Sequence, residues 1–178
     1  MSVAPCILSR ALGLALVLAV SAPAAIGAQD SLALRERALV SAVLFVRGSA
    51  AEDLRTVPAD SIVIDGSTVL ERPAVSPEVL AELGRTLRAV VVWSHNACGQ
   101  DLSPNRALFA RGQCAVTRWK YYVEAEVVAI DNDSAAIIVH VFRRPTGIQR
   151  VDYSGYRIDL LRTRSGWSAP RLLWIRET

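Results

Sequence analysis

His140 is the residue in this chain best placed to move a proton. Imidazole is the one side chain whose ordinary pKa, near 6.5, lies in the physiological range. From Trp119 onward the sequence alternates. Tyr121, Val123, Ala125, Val127 and Ala129 point one way, and Lys120, Tyr122, Glu124 and Glu126 point the other. Asp131-Asn-Asp-Ser134 reads as a turn, after which Ala135, Ile137, Val139 and Val141 alternate along a second strand. If that turn keeps the apolar faces aligned, His140 shares a face with Tyr122, Glu124 and Glu126. Cross-strand neighbours lie about 5 Å apart at Cβ, so His140 with Glu124 or Glu126 could work as an acid–base pair, helped by Asp152 or Tyr156. The competing reading is a solvated ion pair on a polar strand face, which is common and chemically inert.

A second constellation is cationic. In an antiparallel meander the start of the first strand, the end of the second, the start of the third and the end of the fourth share one sheet edge. That edge gathers Arg118, Lys120, Arg143, Arg144, Arg150 and Arg176, which together could hold a phosphate, sulfate or uronate group. Arginines clustered on a solvated rim are the commoner outcome. At the opposite edge Asp131 and Asp133 come near Arg162 and Arg164, where the charges offset one another.

Much recognisable chemistry is absent. The chain has no G-x-S-x-G elbow, H-E-x-x-H, P-loop, dinucleotide fingerprint or C-x-x-C. Asp131–Ser134 begins like a calcium loop but lacks its later glycine and glutamate. His95, Cys98 and Cys114 offer three metal ligands, whereas a structural zinc site takes four, usually in two close pairs. No metal and no cofactor is expected.

The compartment governs how the cysteines are read. Met1–Ala28 has one positive charge at Arg10, an apolar run from Ala11 to Val20, and the small residues Ser21-Ala-Pro-Ala-Ala-Ile-Gly-Ala28. This is the pattern of a signal peptide cleaved before Gln29, which would place the mature domain, residues 29–178, in the periplasm or outside the cell. Nothing downstream is long and apolar enough to span a bilayer. Cys6 leaves with the leader, so Cys98 and Cys114 are expected to form a disulfide, closing an irregular loop of about 15 residues and adding about 3 kcal/mol. His95 is expected to serve the hydrogen bonding of that loop. From Gln29 on there are 19 basic and 17 acidic residues, an excess too small to steer the domain to nucleic acid.

The elements that would position these residues read as helices first and strands after. Asp30 or Ser31 caps a helix running to about Gly48, with Leu39, Ala42, Val43 and Val46 as its apolar stripe. Thr56–Asp60 reads as a turn and Ser61–Asp65 as a short strand. A second helix opens with Ser76 as N-cap and Pro77 at its first position, and Ala89–Trp93 follows as a buried strand. The last four strands form a meander, with a bulge expected at Ser154-Gly155. The expected class is α+β: N-terminal helices packed on a four-stranded antiparallel meander, with one disulfide-closed loop.

This layout, ending in the hairpin Tyr156-Arg-Ile-Asp-Leu-Leu-Arg-Thr-Arg-Ser-Gly-Trp167, resembles the cone-shaped fold of ketosteroid isomerase, polyketide cyclases and nuclear transport factor two. The resemblance runs from about Ala38 to the end and implies a pocket between the helices and a curved sheet. Some members use that pocket for acid–base chemistry and many use it for binding alone. None of the family's catalytic motifs is present in this chain. The leading expectation is therefore a non-enzymatic exported domain that binds a small molecule, an anionic envelope component or another protein. The alternatives are a pocket enzyme of isomerase or cyclase type, and an accessory envelope protein acting through its surface.

Overall fold

The computed structural model describes residues 32–71, 75–92, 108–145 and 150–177. The leader, His95, Cys98 and the turn at 146–149 lie outside the described residues. The first helix, α1 (Leu34–Phe45), runs on into one turn of π-helix over Val46–Ala50. Its N-terminus is served by Glu36, whose buried carboxylate accepts from the Ala33 and Glu71 amides at 2.8 and 3.3 Å. The stretch expected to begin as a turn at Thr56 instead closes a short helix, α2 (Glu52–Thr56), followed by a 3-10 turn at Ala59–Ser61.

Strand β1 (Ile62–Asp65) is buried at every position. It leads through α3 (Gly66–Val69) to α4 (Pro77–Leu87), which opens as expected with Ser76 Oγ accepting from the Val79 amide. Strand β2 (Val90–Val92) follows. After α5 (Leu108–Arg118) come β3 (Tyr121–Ile130), β4 (Ser134–Arg143), β5 (Asp152–Thr163) and β6 (Gly166–Glu177).

The expected four-stranded antiparallel meander is corrected. The sheet has six strands in the order β2-β1-β3-β4-β5-β6, and it is mixed: β1 pairs in parallel with both β2 and β3. Helix α4 is the crossover that parallel pairing requires. The reason β1 is hard to assign to the sheet lies in its composition. Ile62 and Ile64 enter one core while Val63 enters another, so the strand has no polar face and no period of two. Strand β2 lies at the sheet edge and is half-exposed rather than buried, with Val90 exposed.

The disulfide-closed loop is also corrected. No disulfide is found among the described residues. Cys98 is outside them, and Cys114, which is not a free thiol, stands on α5. The segment expected to be irregular up to Gln113 is helical from Leu108.

The two faces of the sheet are covered differently. Alternate residues Tyr121, Val123 and Ala125 of β3, with Ile137, Val139 and Val141 of β4, pack under Leu39, Ala42 and Val43 of α1 to form the larger core. On the other face Ala115 and Val116 of α5 pack on Val63, Tyr122, Phe142 and Tyr153. Gly112 makes this second contact possible. A Cβ there would lie 2.3 Å from the Phe142 ring, so α5 lies with bare backbone against the aromatic face. Among the described residues no helix is long and apolar enough to cross a membrane.

Candidate functional site

The polar residues of β3 and β4 converge on the α5 face. Glu124 stands directly opposite His140 in the β3–β4 register, on the face the alternation assigned to both, and both are buried. The Arg111 guanidinium reaches down from α5 and grips Glu124 with two parallel bonds, Nε to Oε1 and Nη2 to Oε2, each 2.8 Å. Such a fork is the strong geometry for a carboxylate. The bond to Glu124 holds the Arg111 pKa above its ordinary value, against the opposing effect of burial.

One more acid and a phenol extend this pair inward. Tyr122, fully buried, places its hydroxyl 2.5 Å from Glu124 Oε1 and 3.1 Å from Asp65 Oδ2. Asp65 ends β1 with no exposure, and its Oδ1 caps α3 by accepting from the Ser67 amide and hydroxyl at 2.9 and 2.6 Å. One phenolic proton can be donated to only one of two carboxyl groups. Glu124, already paired with Arg111, takes the Tyr122 proton, and the contact with Asp65 then needs a proton on Asp65. Burial pushes the Asp65 pKa up, which favours that arrangement, although the Ser67 bonds oppose it. Burial first, and then the charges of Glu124 and Asp65, push Tyr122 up as well, so it remains a phenol.

His140 has its own partners. Nδ1 is 2.9 Å from the Tyr153 hydroxyl and Nε2 is 3.4 Å from Glu126 Oε2. Burial lowers the His140 pKa, with Glu126 and Glu124 opposing. A neutral ring between a hydroxyl and a carboxylate is satisfied when Tyr153 donates to Nδ1 and Nε2–H donates to Glu126. Tyr153 can lean over His140 because the residue opposite His140 on β5 is Gly155, where a Cβ would lie 2.8 Å from the Tyr153 hydroxyl oxygen. The unfolded chain binds the His140 proton more tightly than the folded protein does. The stability His140 contributes is therefore full above pH 6.5 and is lost as pH falls through its lowered value. His140→Gln is expected to shrink the stability lost between pH 7 and pH 5, measured by urea unfolding at both; an unchanged loss would contradict this.

Arg111, Glu124, Glu126 and His140 form one wall of a cleft of about 410 Å³, lined also by Ser67, Thr68, Arg35 and Glu71. Arg35 and Glu71 pair across its rim at 2.8 Å, and Glu126 is mostly exposed at the mouth.

The other residues expected to help His140 do not join it. Tyr156 lies opposite Val139 and packs in the larger core, on the far face of the sheet. Asp152 bonds Arg143 at 3.2 Å. The cationic edge is brought together by backbone register, with Arg143 beside Tyr121 and Asp152, and Arg176 beside Gly155. Its charges are differently engaged. Arg143 is shared between Asp152 and Asp53, Arg118 stacks over Trp119 at 4.9 Å, and Lys120 lies 5.8 Å from the Tyr121 ring centre. Arg144 and Arg150 are exposed. At the far edge, Arg162 bonds the Asn132 carbonyl, while Asp131 closes its own turn.

Sequence reasoning missed Asp65, Arg111 and Tyr153. Asp65 carries a usable signal, an acid closing an otherwise apolar strand. Arg111 carries none while its segment reads as irregular, and Tyr153 becomes recognisable only once the β4–β5 register sets it opposite Phe142. Among the described residues no group of three or more His, Cys, Asp or Glu side chains converges as a metal site would. No protein-family model, curated protein or solved structure matches the chain.

Proposed function

We propose that the chain is a small-molecule-binding domain, exported by its N-terminal leader, whose ligand sits in the cleft against His140, Glu126 and Arg111. The observation that supports this is a floor of buried polar groups already satisfied within the protein. Both Glu124 oxygens are occupied, and Arg111 is committed to them. Such groups bind and orient without reorganising, which limits the cost of association. The weakest contact on the floor is the 3.4 Å bond from His140 to Glu126. A ligand carbonyl or hydroxyl can take its place by accepting from Nε2–H, so the class is a small polar molecule with an acceptor at that point. The pocket layout of the cone-shaped fold is compatible with binding alone, and the same reading carries over here.

Proton transfer by His140 with Glu126 is the second reading, favoured by the neutral imidazole at a cleft mouth. One experiment separates the two. A set of small hydroxy acids, keto acids, amides and sugars is screened by protein-observed NMR against the wild type and His140→Gln. Binding is expected to shift the Thr68, Ala125 and His140 signals, to weaken in the variant, and to leave the ligand chemically unchanged. Conversion of a ligand by the wild type but not by the variant would favour the enzyme. Ligands that shift only signals remote from the cleft would contradict both.

A further inference from the structure

Arg47 stands on the π-helical turn that follows α1, and its buried Nη1 has no hydrogen-bond partner among the described residues. Buried guanidinium nitrogens are nearly always satisfied, so an orphaned one calls for a missing acceptor. π-helical turns inside or at the end of α-helices are likewise concentrated at functional sites. A second departure lies beside it. Arg88 ends α4 in the left-handed region, with φ 49°, where glycine or asparagine is the usual occupant. Arg47 and Arg88 are close enough that the charge of Arg88, after burial, lowers the Arg47 pKa. Two cations are thus held together at a wall that offers Arg47 no acceptor.

Two clefts of about 760 and 480 Å³ meet here, sharing Arg47, Arg55 and Arg88. The nearby carboxylates are engaged with other arginines: Glu82 pairs with Arg85, and Glu52 lies 3.8 Å from Arg55. The remaining walls are largely apolar, with Val57, Leu80 and Val91 beside Arg85 along the larger cleft and Leu44 and Leu87 beside Thr86 in the smaller. Neither cleft shares a lining residue with the one at His140. From this geometry we infer a second binding site, in which Arg47 and Arg88 together hold a carboxylate or phosphate headgroup and the apolar walls take the body attached to it. The headgroup supplies the acceptor that Nη1 lacks and relieves the repulsion between the two cations. The site does not rest on the reading of the His140 cleft.

The test uses decanoate, decyl phosphate, decanol, decyltrimethylammonium and inorganic phosphate as probes, each below its micelle concentration, with calorimetry on the full chain. Decanoate or decyl phosphate is expected to bind, with at least a tenfold loss in Arg47→Met and in Arg88→Met. Decanol and the ammonium are expected not to bind at this site. Inorganic phosphate binding as tightly as decyl phosphate would uphold the anion site and assign it to a free anion; much weaker binding would uphold it for an amphiphile. Arg47→Met also removes an unpaired buried cation, so the ligand-free variant is expected to melt no lower than the wild type. Should Arg47→Met not fold, Arg88→Met carries the binding test alone. Anion binding unaffected by either substitution, equal binding of decanol, or no binding of any anion would overturn the proposal.

Discussion

Replacing Arg111 by methionine is expected to remove about 3 kcal/mol of folding stability, or more, at neutral pH. The side chain of Glu124 is 4% exposed and that of Arg111 is 14% exposed, and the two oxygens of one meet two nitrogens of the other at 2.8 Å. Removing the guanidinium leaves the carboxylate buried against Tyr122 without its counter-charge. The loss measures that stranded charge rather than the net worth of the pair. The double substitution Arg111→Met, Glu124→Gln is therefore expected to recover part of the stability, because it removes the charge as well. Urea unfolding of the wild type, both single variants and the double variant gives the coupling directly. A loss below about 1 kcal/mol in Arg111→Met, the range of exposed pairs, would mean the ion pair is solvated.

Gly112→Ala is the second large effect, and its sign separates two arguments. Alanine is favoured over glycine inside a helix by about 1 kcal/mol, so intrinsic propensity alone predicts a more stable protein. Packing predicts the reverse. The added Cβ would lie 2.3 Å from the Phe142 ring, which is itself fully buried and packed, tilted by 44°, with its centre 5.0 Å from that of Tyr153. Neither ring can withdraw without disturbing the other, so α5 must lift from the sheet. A net loss of about 2–3 kcal/mol is expected, the upper range for overpacking. Because α5 carries Arg111, the same substitution should also loosen the floor of the cleft, seen as faster amide exchange at Glu124 and Ala125. A more stable Gly112→Ala would show that α5 is free to shift away from Phe142.

What could be read from the sequence follows from how local its signals are. The alternation from Tyr121 to Val141 is a local property with a period of two, and it placed Glu124, Glu126 and His140 on one face, while the choice of Glu124 as the residue opposite His140 is made by the strand register. Ser76 and Pro77 likewise mark the start of α4 through nearest-neighbour chemistry. The parallel pairing of β1 was not legible, because a strand buried on both faces loses its period and its partners lie across α4 and α5 in sequence. Strand β5 pairs with β4 in unbroken register, which puts Tyr153 opposite Phe142 on the α5 face and Tyr156 opposite Val139 in the larger core; the irregularities at Gly155/Tyr156 and Asp159/Leu161 fall in the pairing with β6. Arg111 depended on recognising a helix whose first turns follow a run of Gly, Pro and Asn. The Arg47–Arg88 wall joins residues from separate helices, and only the three-dimensional arrangement brings them together.

The central claim is that the β3–β4 cleft holds a neutral, pre-oriented imidazole over a satisfied polar floor. The most direct measurement is the titration of the His140 ring by ¹⁵N–¹H NMR on the purified protein, assigned against His140→Gln to set it apart from His95. The account predicts a midpoint below the ordinary value near 6.5 and, at pH 7, a neutral ring protonated at Nε2. A midpoint at or above 6.5, or a ring protonated at Nδ1, would contradict it.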